Sequence, residues 1–204
     1  MLEIGMALRL KGMASVDGVA EASGASGDEV EAALASMVEA GHASETPRGY
    51  RLLAEGKEWL DGLLAEERAG IDAGAADEVY ERFCEHNGSF KQLVTDWQIR
   101  EIDGEQVPND HTDEAYDALI FERLGALHAE VAPVFADAAV LAPRLGRYVD
   151  RFSVALDAVR GGDGSMVAAP LKDSYHTVWF EMHEELILLC GRNRADEAAA
   201  GRGA

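Results

Sequence analysis

Residues 19–60 read VAEASGASGDEVEAALASMVEAGHASETPRGYRLLAEGKEWL, and the order of signals in that stretch decides the fold of the front third of the chain. Ser23-Gly24-Ala25-Ser26-Gly27 is a cluster of small turn formers. From Asp28 to Ala40, the apolar residues Val30, Ala33, Leu34, Met37 and Val38 recur at helical spacing on one face, and Gly41 stops the run. Ser26 is placed to cap that helix, with Glu29 three residues on as its capping-box partner. His42 to Glu45 and Tyr50 to Leu53 are short extended pieces flanking Thr46-Pro47-Arg48-Gly49, which signals a hairpin. Ala54 to Arg68 resumes as a helix carrying Trp59, Leu60, Leu63 and Leu64. Toward the N-terminus, Met1 to Leu10 suits a short helix interrupted by Lys11-Gly12, and Val16 to Ala22 suits a second.

The order helix, helix, turn, helix, hairpin, helix resembles the winged helix-turn-helix superfamily, and MarR-like repressors within it. The residues that carry the likeness are the small-residue turn, the helix ending in MVEAGHASE, and RGYRLLAEGKEWL as wing and exit helix. It covers residues 1–68 and implies a transcriptional regulator whose 28–40 helix enters the major groove while the hairpin reaches for the backbone. Arg48 and Arg51 in the wing, with Ser26 and Ser36 on the helix, are the DNA contacts that such a domain would use. Winged helices also serve as protein-interaction modules, so the likeness speaks more for fold than for function.

Charge argues against tight DNA binding. The 204 residues hold 18 Lys+Arg against 38 Asp+Glu, a formal charge of −20, whereas nucleic-acid binders draw most of their affinity from cations set against phosphates. Residues 1–68 hold 6 basic and 13 acidic side chains. The outward positions of the 28–40 helix are Asp28, Glu29, Glu31, Ala32, Ala35, Ser36 and Glu39, with no Arg, Lys, Asn or Gln to read a base edge.

The polar, glycine-containing stretch Glu66 to Gly74 places a boundary near residue 70. Residues 75–191 read as an all-α bundle of about five helices for dimerisation or effector binding, and 192–204 as a flexible tail, giving a mostly α chain. Asp77 to His86 is a helix broken by Asn87-Gly88, and Ser89 with Gln92 caps the next, which carries Phe90, Leu93, Val94 and Trp97. Ile102 to Thr112 is a loop. The helix that follows is kinked or ended by Pro133, another opens at Pro143 and closes at Gly161-Gly162, and the last runs from Leu171 to Cys190. FKQLVTDWQIR (90–100), with the loop through Pro108-Asn109-Asp110, is similar to the C-terminal appendage of actinobacterial pyruvate, phosphate dikinase-like proteins. That likeness implies a protein partner.

The last helix is apolar on two adjacent stripes, with His176 and His183 set among Tyr175, Trp179 and Phe180. Together with Trp97 and Tyr148 on other helices, His176, Trp179 and His183 form a candidate pocket for a small aromatic or acidic effector; each one alone is also an ordinary core residue. His176 and His183 lie about 10.5 Å apart along a helix, too far to share one metal ion. No nucleophile elbow, zinc-protease, P-loop or dinucleotide motif is present, so no enzyme and no cofactor is expected. Cys84 and Cys190 are isolated, no basic-then-apolar leader opens the chain, and no run of about 18 apolar residues is visible. The expectation is a cytoplasmic, homodimeric winged-helix regulator with weak DNA affinity. The alternative is a non-catalytic interaction module, accessory to a phosphoenolpyruvate-utilising phosphotransferase.

Overall fold

The computed structural model describes residues 1–199 and 201 and divides into two compact units, Met1–Ile71 and Asp72–Ala204. The chain is mostly helical, with two small antiparallel hairpins.

In the first unit α1 (Leu2–Lys11), α2 (Val16–Ser23) and α3 (Gly27–Glu39) precede the hairpin β1 (Ala43–Thr46) and β2 (Gly49–Leu52), and α4 (Ala54–Ala69) closes the unit. The turns between helices follow from local chemistry. Ser15 caps α2 by accepting the Gly18 N–H at 3.2 Å, and Gly24 ends that helix at φ +75°. Ser26 and Glu29 form the full capping box on α3, with the Ser26 N–H donating to Glu29 Oε2 at 2.9 Å. Gly49, at φ +119°, lies so close to the Ala14 carbonyl that a β-carbon would collide with it. That approach lets Ala14 exchange two backbone hydrogen bonds with Tyr50 (3.1 and 2.8 Å), which ties the segment before α2 to the hairpin. Met6, Leu8, Val19, Leu34 and Leu60 meet at no exposure and form the core of this unit.

The second unit is a bundle in which α5 (Ala73–Gln98), α6 (Glu114–Leu141), α7 (Gly146–Arg160) and α9 (Tyr175–Leu189) pack as a ring, each against the next. Its interior is aromatic: Phe90 stacks on Trp179 at 4.3 Å and Phe135 on Phe152 at 4.2 Å. A short helix α8 (Ser165–Ala168) and a terminal helix α10 (Arg194–Ala199) complete it.

Several sequence expectations change here. Helix α5 runs unbroken through Asn87-Gly88, because Asn87 points inward and accepts the Trp179 indole N–H at 3.1 Å while Gly88 faces outward. Within the stretch expected as a loop from Ile102 to Thr112, residues 105–108 form the strand β4 (Glu105–Pro108), which pairs with β3 (Ile99–Ile102) as a hairpin, so the rear unit is not all-α. Asp103 and Gly104 have φ of 53° and 84°, the pair of positive values a type I′ turn needs. Pro133 neither ends nor starts an element; it sits on the exposed side of α6. The last core helix begins at Tyr175 with Ser174 as N-cap, leaving Leu171 outside it, and part of the expected tail is α10. The rest of that tail, residues 200 and 202–204, lies outside the described residues. Helix α6 does contain an 18-residue window of mean hydropathy 1.4, long and apolar enough to cross a membrane by length and composition; α5 and α7 pack along it.

Candidate functional site

On the first unit, the groove-reading face expected of α3 is exposed at Asp28, Glu31, Ala35, Ser36 and Glu39. Ser26 is taken up by the capping box. Arg48 stands exposed at the tip of the hairpin, and Arg51 Nε donates to Ser44 Oγ at 3.2 Å across the strand pair. The surface therefore pairs an acidic helix with two arginines on one ribbon.

On the second unit, the five expected pocket residues do not share one site. Tyr148 and His183 are buried in the helix packing and line neither of the two cavities to which the other three contribute. Tyr148 lies in a buried ion network in which Arg144 and Arg147 hold Glu185, at 2.5 and 2.6 Å, and Arg151 holds Asp173 and Glu181, at 2.5 and 2.7 Å. His176 and Trp179 line a cleft of about 340 Å³ with Phe90 and Phe180. Trp97 lines a different and larger cavity, of about 810 Å³.

That larger cavity is built from three pieces of chain: the last turn of α5, the segment from Asn109 into α6, and the Gly162–Ala169 loop. Its central feature is His111, which sequence reasoning left among scattered histidines. His111 holds a left-handed backbone (φ 59°), an uncommon conformation for a residue with a side chain. Buried Asn109 keeps it there. Asn109 Oδ1 accepts the His111 N–H at 3.2 Å, while its amide donates to the Trp97 carbonyl and to Asp117 Oδ1, both at 3.0 Å.

With both Asn109 amide hydrogens committed, the hydrogen-bond network puts a proton on His111 Nδ1, which donates to Asp117 Oδ2 at 3.0 Å. In the neutral ring Nε2 then carries the lone pair, so the histidine is oriented by a carboxylate as a base or ligand-binding group would be. The Trp97 ring packs against the imidazole in a tilted arrangement, with centroids 4.0 Å apart. The segment is stapled on its other side by Arg100, which pairs with Asp113 at 2.7 Å and covers the Tyr116 ring at 4.4 Å. Hydrogen bonds from the Tyr116 N–H and from Arg100 hold the Asp113 carboxyl below its usual range.

Across the cavity, Gly164 packs so closely that a β-carbon would lie 2.8 Å from Trp97 Cη2. Ser165 donates to Asp163 at 2.5 Å and accepts from Lys172 Nζ at 2.6 Å. Because that lysine is the donor, it is not poised to take the serine proton; the triad fastens the loop and presents no activated nucleophile. Among the described residues no three side chains of metal-ligating type converge.

Residues 90–100 and 108–110 meet at this cavity through the Asn109–Trp97 hydrogen bond. What sequence reasoning missed was the spacing His111 to Asp117, which places the carboxylate one turn into α6, back under the ring. No protein-family model, curated protein or solved structure matches the chain.

Proposed function

We propose that this protein is a winged-helix regulator: a front unit that touches DNA weakly, led by the wing, and a helical rear unit that binds a small effector at the Trp97–His111 cavity. For the front unit, the order of elements and the isolated Ala14–Tyr50 bridge, which ties the segment before α2 to the hairpin, support the winged-helix reading. The observation that carries the effector reading is the imidazole fixed by Asp117 and Asn109 at the edge of an 810 Å³ cavity with Trp97 and Phe121 in its walls. Fixing a polar ring at such a place, in a strained backbone conformation, costs stability that a purely structural loop has no reason to spend.

Fluorescence anisotropy with a labelled mixed-sequence duplex tests the DNA arm. Binding is expected at low salt, weakening with a log–log slope of about −2 for two arginine contacts, and lost in the Arg48→Glu, Arg51→Glu double variant. Absence of binding at the lowest salt overturns it. A second reading is favoured by the exposed Asp28, Glu31 and Glu39 of α3: a docking surface for a basic protein partner. In that case the double arginine variant retains capture of the partner, while reversal of the α3 acids abolishes it.

A further inference from the structure

The cavity beside His111 has a charge character that points to the class of molecule it accepts. Two carboxylates line it. Asp117 is committed to His111 and Asn109, but Glu114, in the first turn of α6, makes no hydrogen bond or ion pair among the described residues. The nearby cations are already matched: Arg100 with Asp113, Arg123 with Asp96 at 2.7 Å, and Lys172 with Asp163 and Ser165. With His111 neutral, the lining carries two uncompensated negative charges; with His111 protonated it still carries one. The chain's overall −20 deepens the same sign of potential, which raises the local concentration of cations and repels anions.

The remaining lining is flat and apolar. Trp97 and Phe121, 5.6 Å apart, supply ring surface, and Ala168 and Ala169 supply a smooth wall opposite. Of the polar groups left open, the Glu114 carboxylate and His111 Nε2 are acceptors, and the Gln98 side-chain amide offers both an acceptor and donors. Acceptors around an aromatic slot match a planar ligand with N–H donors at its edge and a positive charge.

We propose that this cavity binds a planar organic cation, an amidine, guanidine or protonated amino-heterocycle, with its ring against Trp97 and Phe121 and its N–H groups on Glu114 and His111. This rests on reading the cavity as an effector site and narrows the effector to one chemical class, which excludes the acidic ligands that the sequence left open.

The test uses three probes of nearly equal shape on the full chain: benzamidine, benzoate and benzyl alcohol. The indole N–H resonance of Trp97, assigned with Trp97→Phe, reports occupancy at the cavity itself. Benzamidine should shift that resonance saturably and bind at least tenfold tighter than benzoate, with benzyl alcohol between them. Glu114→Gln, a change at an exposed position, should weaken benzamidine about tenfold, leave benzyl alcohol unchanged and leave the melting temperature unmoved. Benzoate binding as tightly as benzamidine, or benzamidine binding unaffected by Glu114→Gln, overturns the cation assignment while leaving an effector site standing. No shift of the Trp97 resonance with any of the three at millimolar concentration overturns both.

Discussion

His183 lies at no exposure between Tyr80 and Phe83, and neither ring nitrogen has a hydrogen-bond partner among the described residues. Burial, reinforced by the positive charges of Arg194 and Lys91, pushes it down to about 4 from its usual value near 6.5, with Glu197 opposing. The consequence for stability has a definite sign. Between those two values the unfolded chain takes up a proton that the folded chain refuses, so the stability associated with neutral His183 is intact above pH 6.5 and drains away as pH falls toward 4. The full loss is on the order of 3 kcal/mol. His183→Leu should therefore flatten the dependence of the urea midpoint on pH in that window relative to the parent; an identical slope in both proteins would show that the ring is not held neutral. At the cavity, Asn109→Ala removes the amide that joins Trp97, His111 and Asp117. Thermal or denaturant unfolding should register a loss of about 1–3 kcal/mol. Neither residue was legible in its role from sequence: a histidine in an apolar stripe and an asparagine in a loop look alike whether partnered or orphaned, because the partners come from elsewhere in the chain.

In the front unit α2 and α3 were legible because each is short, capped by a serine and set off by small residues, so local chemistry alone sets its ends. In the rear unit tertiary packing overrides local punctuation. Phe83 and Phe90 are buried on either side of Asn87-Gly88, and their packing on Trp179 holds α5 together across a dipeptide that would otherwise end it. Open space surrounds the position where a β-carbon on Gly88 would sit. Gly88→Ala should then stabilise the protein by roughly 0.5–1 kcal/mol, whereas a helix break at that point would make the same change neutral or harmful. The β3–β4 hairpin escaped notice for the opposite reason: its Asp103-Gly104 turn signal is strong, but its strands are mostly exposed and show no apolar alternation. Between α7 and α9, the spacings of Arg144, Arg147 and Arg151 and of Glu181 and Glu185 each mark one helical face, yet nothing in sequence says that the two faces meet. Arg151→Met removes the cation that Asp173 and Glu181 share and should cost about 3–5 kcal/mol in chemical denaturation. A loss below 1 kcal/mol would mean that those carboxylates are satisfied without it.

At the scale of the whole molecule, two units of different character share one strongly acidic chain. The front unit sets exposed acids on α3 beside two hairpin arginines, and the rear unit builds a cavity that presents acceptors. On the proposed reading, repulsion at the very helix that would enter a groove holds the nucleic-acid affinity low. Removing that repulsion is the direct test: measure duplex affinity at one fixed low salt for the parent and for Glu31→Gln combined with Glu39→Gln, leaving Glu29 to its capping box. If α3 faces DNA, the double variant should bind about tenfold more tightly, since each neutralised carboxylate relieves about 0.7 kcal/mol of repulsion from a phosphate about 6 Å away in water. Unchanged or weaker binding would place α3 away from the phosphates and contradict the winged-helix mode of contact.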